Sequence, residues 1–153
     1  MGIRNAAKAV VIKDGKLLLN RCVDGQGTEY YALPGGGQHL FEPLEEAVVR
    51  EVLEETGLTV RPKKLLAVAE EISVDGEQRE KYPDYAHRMM HIFLAEAENG
   101  ETVPIETDLD QKDSVWVMPE EADRMNLRPQ SLQGNVSALL RGELSPWLGT
   151  VSI

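Results

Sequence analysis

An α/β (α+β) layered fold is the architecture this sequence predicts, and three features predict it. Two short apolar, β-prone runs joined by a turn open the chain, one strongly punctuated helix follows, and further strand-like segments then mix with short helical ones. The 153 residues suffice for a single domain, 1–153, with a full hydrophobic core. A content of 42% hydrophobic and 27% charged residues is that of a globular chain, neither disordered nor membrane-embedded.

The elements follow in order. Residues 6–12 form a strand, Lys13-Asp14-Gly15-Lys16 a turn and Leu17 to Arg21 a second strand, so the chain opens with a hairpin. A polar loop, Asp24 to Thr28, leads to a strand from Tyr30 to Leu33. Pro34-Gly35-Gly36-Gly37 then breaks regular structure. Pro43 suits the first turn of a helix, Glu45 and Glu46 favour the positive end of its dipole, and Gly57 suits a left-handed C-cap. The helix is therefore predicted from about Pro43 to Thr56. Strands are predicted at 64–72 and 88–96, separated by a charged segment with an Asp75-Gly76 turn, and again at 114–118. Short helices are expected at 120–125 and at 131–141, the latter ending near Gly142.

Sixteen basic against twenty-six acidic residues leave a net charge of −10, which argues against gripping a duplex nucleic acid. An acidic protein that handles phosphates needs cations to mediate, and the balance leans toward divalent-metal chemistry. The single Cys22 has no internal disulfide partner, in keeping with a cytoplasmic setting. The apolar run Ala9 to Ile12 is too short for a signal core or a membrane span.

Chemistry concentrates between Gly36 and Leu58. There the chain reads Gly36, five residues, Glu42, seven residues, then Arg50-Glu51-Val52-Leu53-Glu54-Glu55-Thr56-Gly57-Leu58. At about 100° per helical residue, Glu51, Glu54 and Glu55 fall on one arc, and Val48, Val49, Val52 and Leu53 on another that can pack on a sheet. Three like charges so close repel, and a hard divalent cation bound by carboxylate oxygens relieves that repulsion. Arg50 can pair with Glu46 and Glu54, each four residues away, and hold a glutamate in place. Gly35 to Gly37 let backbone approach a ligand closely.

This 23-residue stretch, with every fixed position at its spacing, resembles the signature box of the Nudix hydrolases, the MutT-like family. The resemblance implies a mixed β-sheet sandwiched between helices and hydrolysis of a diphosphate linkage in a nucleoside diphosphate joined to another moiety, of ADP-ribose or nucleotide-sugar type. Alternatives are a house-cleaning (d)NTP pyrophosphohydrolase and a non-catalytic nucleotide-sensing protein. It implies Mg²⁺, with Mn²⁺ as a substitute, held by Glu51, Glu54, Glu55 and the Gly35 carbonyl. Catalysis would fall to Glu54 and Glu51, with Glu96 and Glu98 as further candidates for the base. Arg21, Gly36 and Gly37 are expected to contact substrate, while Glu42, Arg50 and Gly57 are structural. The partner is a small-molecule nucleotide, with a homodimer as the expected assembly.

The match thins in places. Gln38-His39-Leu40-Phe41 departs from the loop of many relatives, with Phe41 where a small residue is usual. Ile72-Ser73-Val74 carries neither the proline nor the tyrosine that marks particular substrate subgroups. His87 and His91, about 13 Å apart on a strand, cannot share one ion and are read as structural, as are the aromatic residues Trp116, Tyr30, Tyr31 and Tyr85.

Overall fold

The computed structural model describes residues 2–99, 102–104 and 110–153. The predicted hairpin is β1 (Arg4–Lys13) and β2 (Lys16–Val23), turned by Asp14 and Gly15 at φ of 51° and 76°. A two-residue hairpin turn that follows strand twist needs positive φ at both positions, which an Asp-Gly pair tolerates. β3 (Glu29–Ala32) returns antiparallel to β2.

The glycine run departs from the expected irregular loop. Gly35–Gly37 is β4, antiparallel to β1 with Ala6↔Gly37, Ala7↔Gly36 and Lys8↔Gly35 in register. β1 meets β2 only at Ile12↔Leu17 and Lys13↔Lys16. Beyond that point the two strands part, and the backbone groups of β1 left over need partners. Side-chain-free residues can lie against them, so tertiary pairing overrides glycine's poor strand propensity.

Helix α1 (Leu44–Thr56) follows Pro43 and closes on Gly57, whose φ is 75° and whose N–H donates to the Leu53 carbonyl at 2.8 Å. Its buried side, Ala47, Val48 and Val52, packs with Ala7, Ala9, Val11 and Leu18 of the hairpin. β5 (Val60–Ile72) and β6 (His87–Ala97) pair antiparallel, and β6 runs parallel to β1 with Ala6↔Met90 and Ile12↔Glu96. Between β5 and β6 the charged segment is a short helix, α2 (Gly76–Lys81), rather than a bare turn. The Asp75 carboxylate caps it by accepting the Glu77 N–H at 2.9 Å.

β7 (Gln111–Val117) is antiparallel to β2. The two helices predicted after it are shorter than expected: α3 (Pro119–Ala122) and α4 (Val136–Leu140), with β8 (Leu127–Arg128) between them, parallel to β3. Gly134, at φ 75°, separates a single 3-10 turn from α4 and interrupts the helix expected at 131–141. A final strand that the sequence pattern does not signal, β9 (Trp147–Ser152), runs parallel to β5.

The strands form one mixed sheet in the order β8-β3-β2-β1-β6-β5-β9, with β4 on β1 and β7 on β2. One apolar cluster lies between this sheet and α1. Another, built from Val10, Leu17 and Leu19 with Leu132, Val136 and Leu139, joins its other face to the C-terminal segments and α4. The expected sheet between helical layers is thus observed. Among the described residues, no helix is long and apolar enough to cross a membrane.

Candidate active site

The parting of β1 from β2 opens a cleft. One cavity of about 300 Å³ is lined by Asn20, Leu33, Glu55, Glu71, Gln111 and Arg128. A second, of about 340 Å³, is lined by Arg4, Gly35, Gly36, Gly37, Glu51 and Tyr85. Both share Lys8, Tyr30, Arg88, Met90 and Asp110, so they adjoin across a waist that carries both cations and a carboxylate.

Glu51 lies against the glycine strand. A Cβ added at Gly36 would fall 2.6 Å from a Glu51 carboxylate oxygen, so only glycine permits this approach. Arg50 organises the neighbouring carboxylates. Its Nη1 donates to Glu51 at 2.8 Å and lies 3.4 Å from Glu54; its Nε and Nη2 donate to Glu42 at 2.8 and 3.0 Å; and Nη2 also donates to the Gly37 carbonyl at 2.9 Å. The sequence expects Glu46 as a partner, but Glu42 has that place, because the chain folds back from Gly37 to bring it alongside the helix. The Arg50 bond, with help from the His39 N–H, holds the Glu42 carboxyl down at about 2. Glu42 in turn pushes the Arg50 guanidinium above its ordinary range.

Glu55 does not share the outward face expected for it. It is 4% exposed, and its carboxylate accepts from the Asn20 amide at 2.7 Å and from the Gly35 N–H at 3.3 Å. Helical rotation groups the three glutamates, yet packing against β2 turns the last of them under the glycine strand. Among the described residues, no three carboxylate, imidazole or thiol groups converge as metal ligands. Glu51 and Glu54 fit a divalent cation as a pair, since one guanidinium nitrogen already draws an oxygen from each. The Gly35 carbonyl likewise faces a cation, accepting from the Lys8 ammonium at 2.9 Å.

A family model for the NUDIX domain matches residues 2–137. The chain belongs to the NUDIX family. It is similar to an ADP-ribose pyrophosphatase of Methanocaldococcus jannaschii, 36% identical over 96 residues that cover 63% of this chain and 52% of that protein. The chain thus spans about half the length of that curated relative. Among solved structures it resembles a NUDIX hydrolase from Nitrosomonas europaea, with a TM-score of 0.73, 18% identity and coverage of 95% of this chain and 93% of that one. A MutT NUDIX hydrolase from Burkholderia pseudomallei is 27% identical, with a TM-score of 0.66 and coverage of 94% and 100%.

Several residues singled out in the sequence lie away from the NUDIX cleft. Asn20 and Cys22 line it, but Arg21, between them on β2, faces the other side and bonds Asp113 at 2.8 Å and Glu29 at 3.3 Å. Strand alternation makes that orientation unavoidable. Glu96 sits four residues along β6 from Ile92, which is level with Gly35, and so lies roughly 13 Å along the strand from the near end of the glycine strand. Arg61 and Lys63 pair with it and hold its carboxyl below the usual range. Glu98 is exposed just beyond, its N–H bonded to the Thr59 carbonyl, so neither glutamate reaches the cleft. His39 is exposed and uses its backbone N–H on Glu42. His87 bonds Glu70 and His91 bonds Asn5, four positions apart on β6.

Other cleft residues escaped the sequence reading. Glu71, 2% exposed, pairs with Arg88 across β5 and β6. Asp110 accepts from the Tyr30 hydroxyl at 2.9 Å, and that bond together with burial, the larger cause, raises the Tyr30 phenol well above its ordinary value. Lys8 and Asn20 were legible in principle, as a charge within the otherwise apolar run Ala6 to Ile12 and an amide directly after Leu17 to Leu19.

Proposed function

We propose that this NUDIX chain is a divalent-metal-dependent hydrolase that splits the diphosphate linkage of a nucleoside diphosphate joined to a second moiety, of ADP-ribose or nucleotide-sugar type. The observation that carries it is the pair Glu51 and Glu54, drawn to one Arg50 nitrogen beside a glycine strand that opens on a two-part cleft. Two adjoining cavities whose waist carries Lys8 and Arg88 beside Asp110 suit a substrate of two moieties linked through phosphates. The 36% identity to an ADP-ribose pyrophosphatase favours that substrate class.

Glu51 and Glu54 would hold Mg²⁺, or Mn²⁺ in its place, with the Gly35 carbonyl as a further ligand. A bound divalent ion supplies charge neutralisation at phosphate oxygens and a more acidic water. The work of the chain is positional. Arg50 restrains both glutamates and ties them to Gly37, so their carboxylates keep a fixed position relative to the glycine strand. Gly36 and Gly37 admit phosphate close to the backbone, and Lys8 offsets part of the negative charge that a diphosphate brings into an acidic protein. Water oxygen bonds to phosphorus, the bridging P–O bond breaks, and a carboxylate of Glu54 or Glu51 takes the water proton. Glu55, committed to Asn20 and Gly35, shapes the floor beneath them.

The test is chromatographic product analysis against a panel of nucleoside-diphosphate compounds and nucleoside triphosphates, with Mg²⁺ and then with EDTA. Metal-dependent release of a mononucleotide from an ADP-ribose or nucleotide-sugar member is expected. Pyrophosphate release from a triphosphate alone would transfer the assignment to that class. Full turnover by a folded Glu54→Gln variant would remove catalysis from this helix.

A further inference from the structure

We infer that Arg4 is the anchor for a substrate phosphate in this cleft, in place of the substrate contact that the family resemblance implies for Arg21; this rests on the hydrolase reading above. The other arginines near the glycine strand each have a bonded partner, although the buried Nε of Arg88 is left without one among the described residues. Arg50 is bonded to Glu42, Glu51 and Gly37, Arg88 to Glu71, and Arg128 to Asn126. Arg21 is bonded to Asp113 on the far face. Arg4 differs. Its guanidinium lies 4.6 Å from the centre of the Tyr85 ring, and among the described residues it has no hydrogen-bonded or ion-paired protein partner.

In a chain with twenty-six acidic residues against sixteen basic ones, Arg4 and Arg128 are half-buried without a carboxylate among the described residues, and of the two only Arg128 has a hydrogen-bonded partner, Asn126. Two features keep Arg4 without one. The Tyr85 ring holds the guanidinium by its face, a contact that uses none of the five N–H donors. Gly37 supplies the space: a Cβ there would fall 2.4 Å from Arg4 Nη2, so the guanidinium rests directly on the glycine strand. Arg4 is also the register neighbour of Arg88 on β6, and both line the cavity that contains Glu51 and Gly36. Glu71 already compensates Arg88, so of this pair the charge left without a carboxylate beside it, among the described residues, is that of Arg4, which an anion would complete. A phosphate oxygen of the diphosphate supplies that anion and accepts the planar, paired donors that arginine offers.

The experiment measures binding of inorganic pyrophosphate with Mg²⁺ by calorimetry, and KM and kcat on the best substrate of the panel. It uses the full chain and its Arg4→Gln, Arg4→Lys and Tyr85→Leu variants. Arg4→Gln should weaken pyrophosphate binding by about 10- to 100-fold and raise KM similarly while kcat holds. Arg4→Lys should recover part of the loss, and Tyr85→Leu should cost about 2- to 5-fold. If Arg4→Gln fails to fold, the Arg4→Lys and Tyr85→Leu pair decides by the same readouts. Equal binding by Arg4→Gln and the unaltered chain, or no pyrophosphate binding by the unaltered chain, overturns the inference. Turnover with an unchanged KM in Arg4→Gln would defeat the anchor and leave the hydrolase. Loss of pyrophosphate binding in Arg4→Gln, with no turnover by the unaltered chain, would defeat the hydrolase and leave the anchor.

Discussion

Replacing Arg50 by methionine keeps most of the side-chain volume and removes every donor, so it isolates what the guanidinium contributes. Its side chain is 23% exposed, and the Glu42 and Glu51 side chains are 14% and 16% exposed. Breaking a fully buried ion pair costs about 3–5 kcal/mol, because a charge is left without compensation. Here water reaches part of the guanidinium, which lowers the expectation, while the loss of several charge-assisted bonds at once raises it, leaving about 2–4 kcal/mol. For a chain of this size each kcal/mol moves the melting temperature by roughly 3 °C, so Arg50→Met should melt about 6–12 °C lower at pH 7.

The pH dependence supplies an independent check. Glu42 titrates near 4.5 when unperturbed and at about 2 in the folded chain. Between those values the unfolded state binds the extra proton. Stability from this group is therefore complete above about pH 4.5 and is lost as pH falls through about 2. Arg50→Met returns Glu42 toward its ordinary value, and the slope of stability against pH across that window should flatten relative to the unaltered chain. Urea unfolding followed by circular dichroism at stepped pH measures both quantities. A variant within 0.5 kcal/mol (about the spread of surface substitutions) and with an unchanged acid slope would refute the reasoning.

Four further outcomes follow from the same geometry. Asn20→Ala leaves the buried Glu55 carboxylate and the Ser114 hydroxyl each short of a partner, and should cost about 1–3 kcal/mol in urea unfolding. Phe41 is 96% exposed at φ 67°, so Phe41→Gly should relieve strain worth somewhat more than glycine's entropic cost and stabilise by about 0.5–1 kcal/mol, read as a higher melting temperature. Mg²⁺ at about 100 times its dissociation constant should stabilise the chain by about 2.7 kcal/mol in thermal unfolding, an increment that EDTA or the combined Glu51→Gln and Glu54→Gln substitutions should abolish. Glu96→Gln should leave kcat within about two-fold, since that carboxylate lies far along β6; a large loss would restore it as a candidate base.

The helix was legible because its punctuation is local: Pro43, the first-turn glutamates and Gly57 act over one or two turns, and α1 occupies the expected span. Strands with strong apolar runs were legible for the same reason. What eluded the sequence depends on partners distant along the chain. β4 exists because β1 loses β2 as a neighbour, and β9 because β5 offers an edge nearly eighty residues earlier. At the site, the spacing of Glu51, Glu54 and Glu55 gave their common arc. It could not give the Asn20 amide and Gly35 N–H that draw Glu55 inward, nor the folding back that sets Glu42 on Arg50. Arg21 and Arg4 differ only in which face of the sheet each occupies and what waits there, facts that belong to the assembled fold.

The two sides of the cleft take their position from one strand. β4 is pinned to Ala6, Ala7 and Lys8 by backbone pairing, α1 rests on Ala7, Ala9 and Val11, and Arg50 then bolts helix to glycine strand. β1 thus serves as a common datum, and errors elsewhere do not accumulate between the two faces that must meet. The exposed tip of the turn, Leu40 and Phe41, can change while Gln38 and Arg50 keep Glu42 in place, and the walls contributed by β3, β8 and the approach to β7 can be recut without misaligning Glu51 against Gly36. A scaffold with this tolerance separates the choice of substrate from the upkeep of the reacting groups.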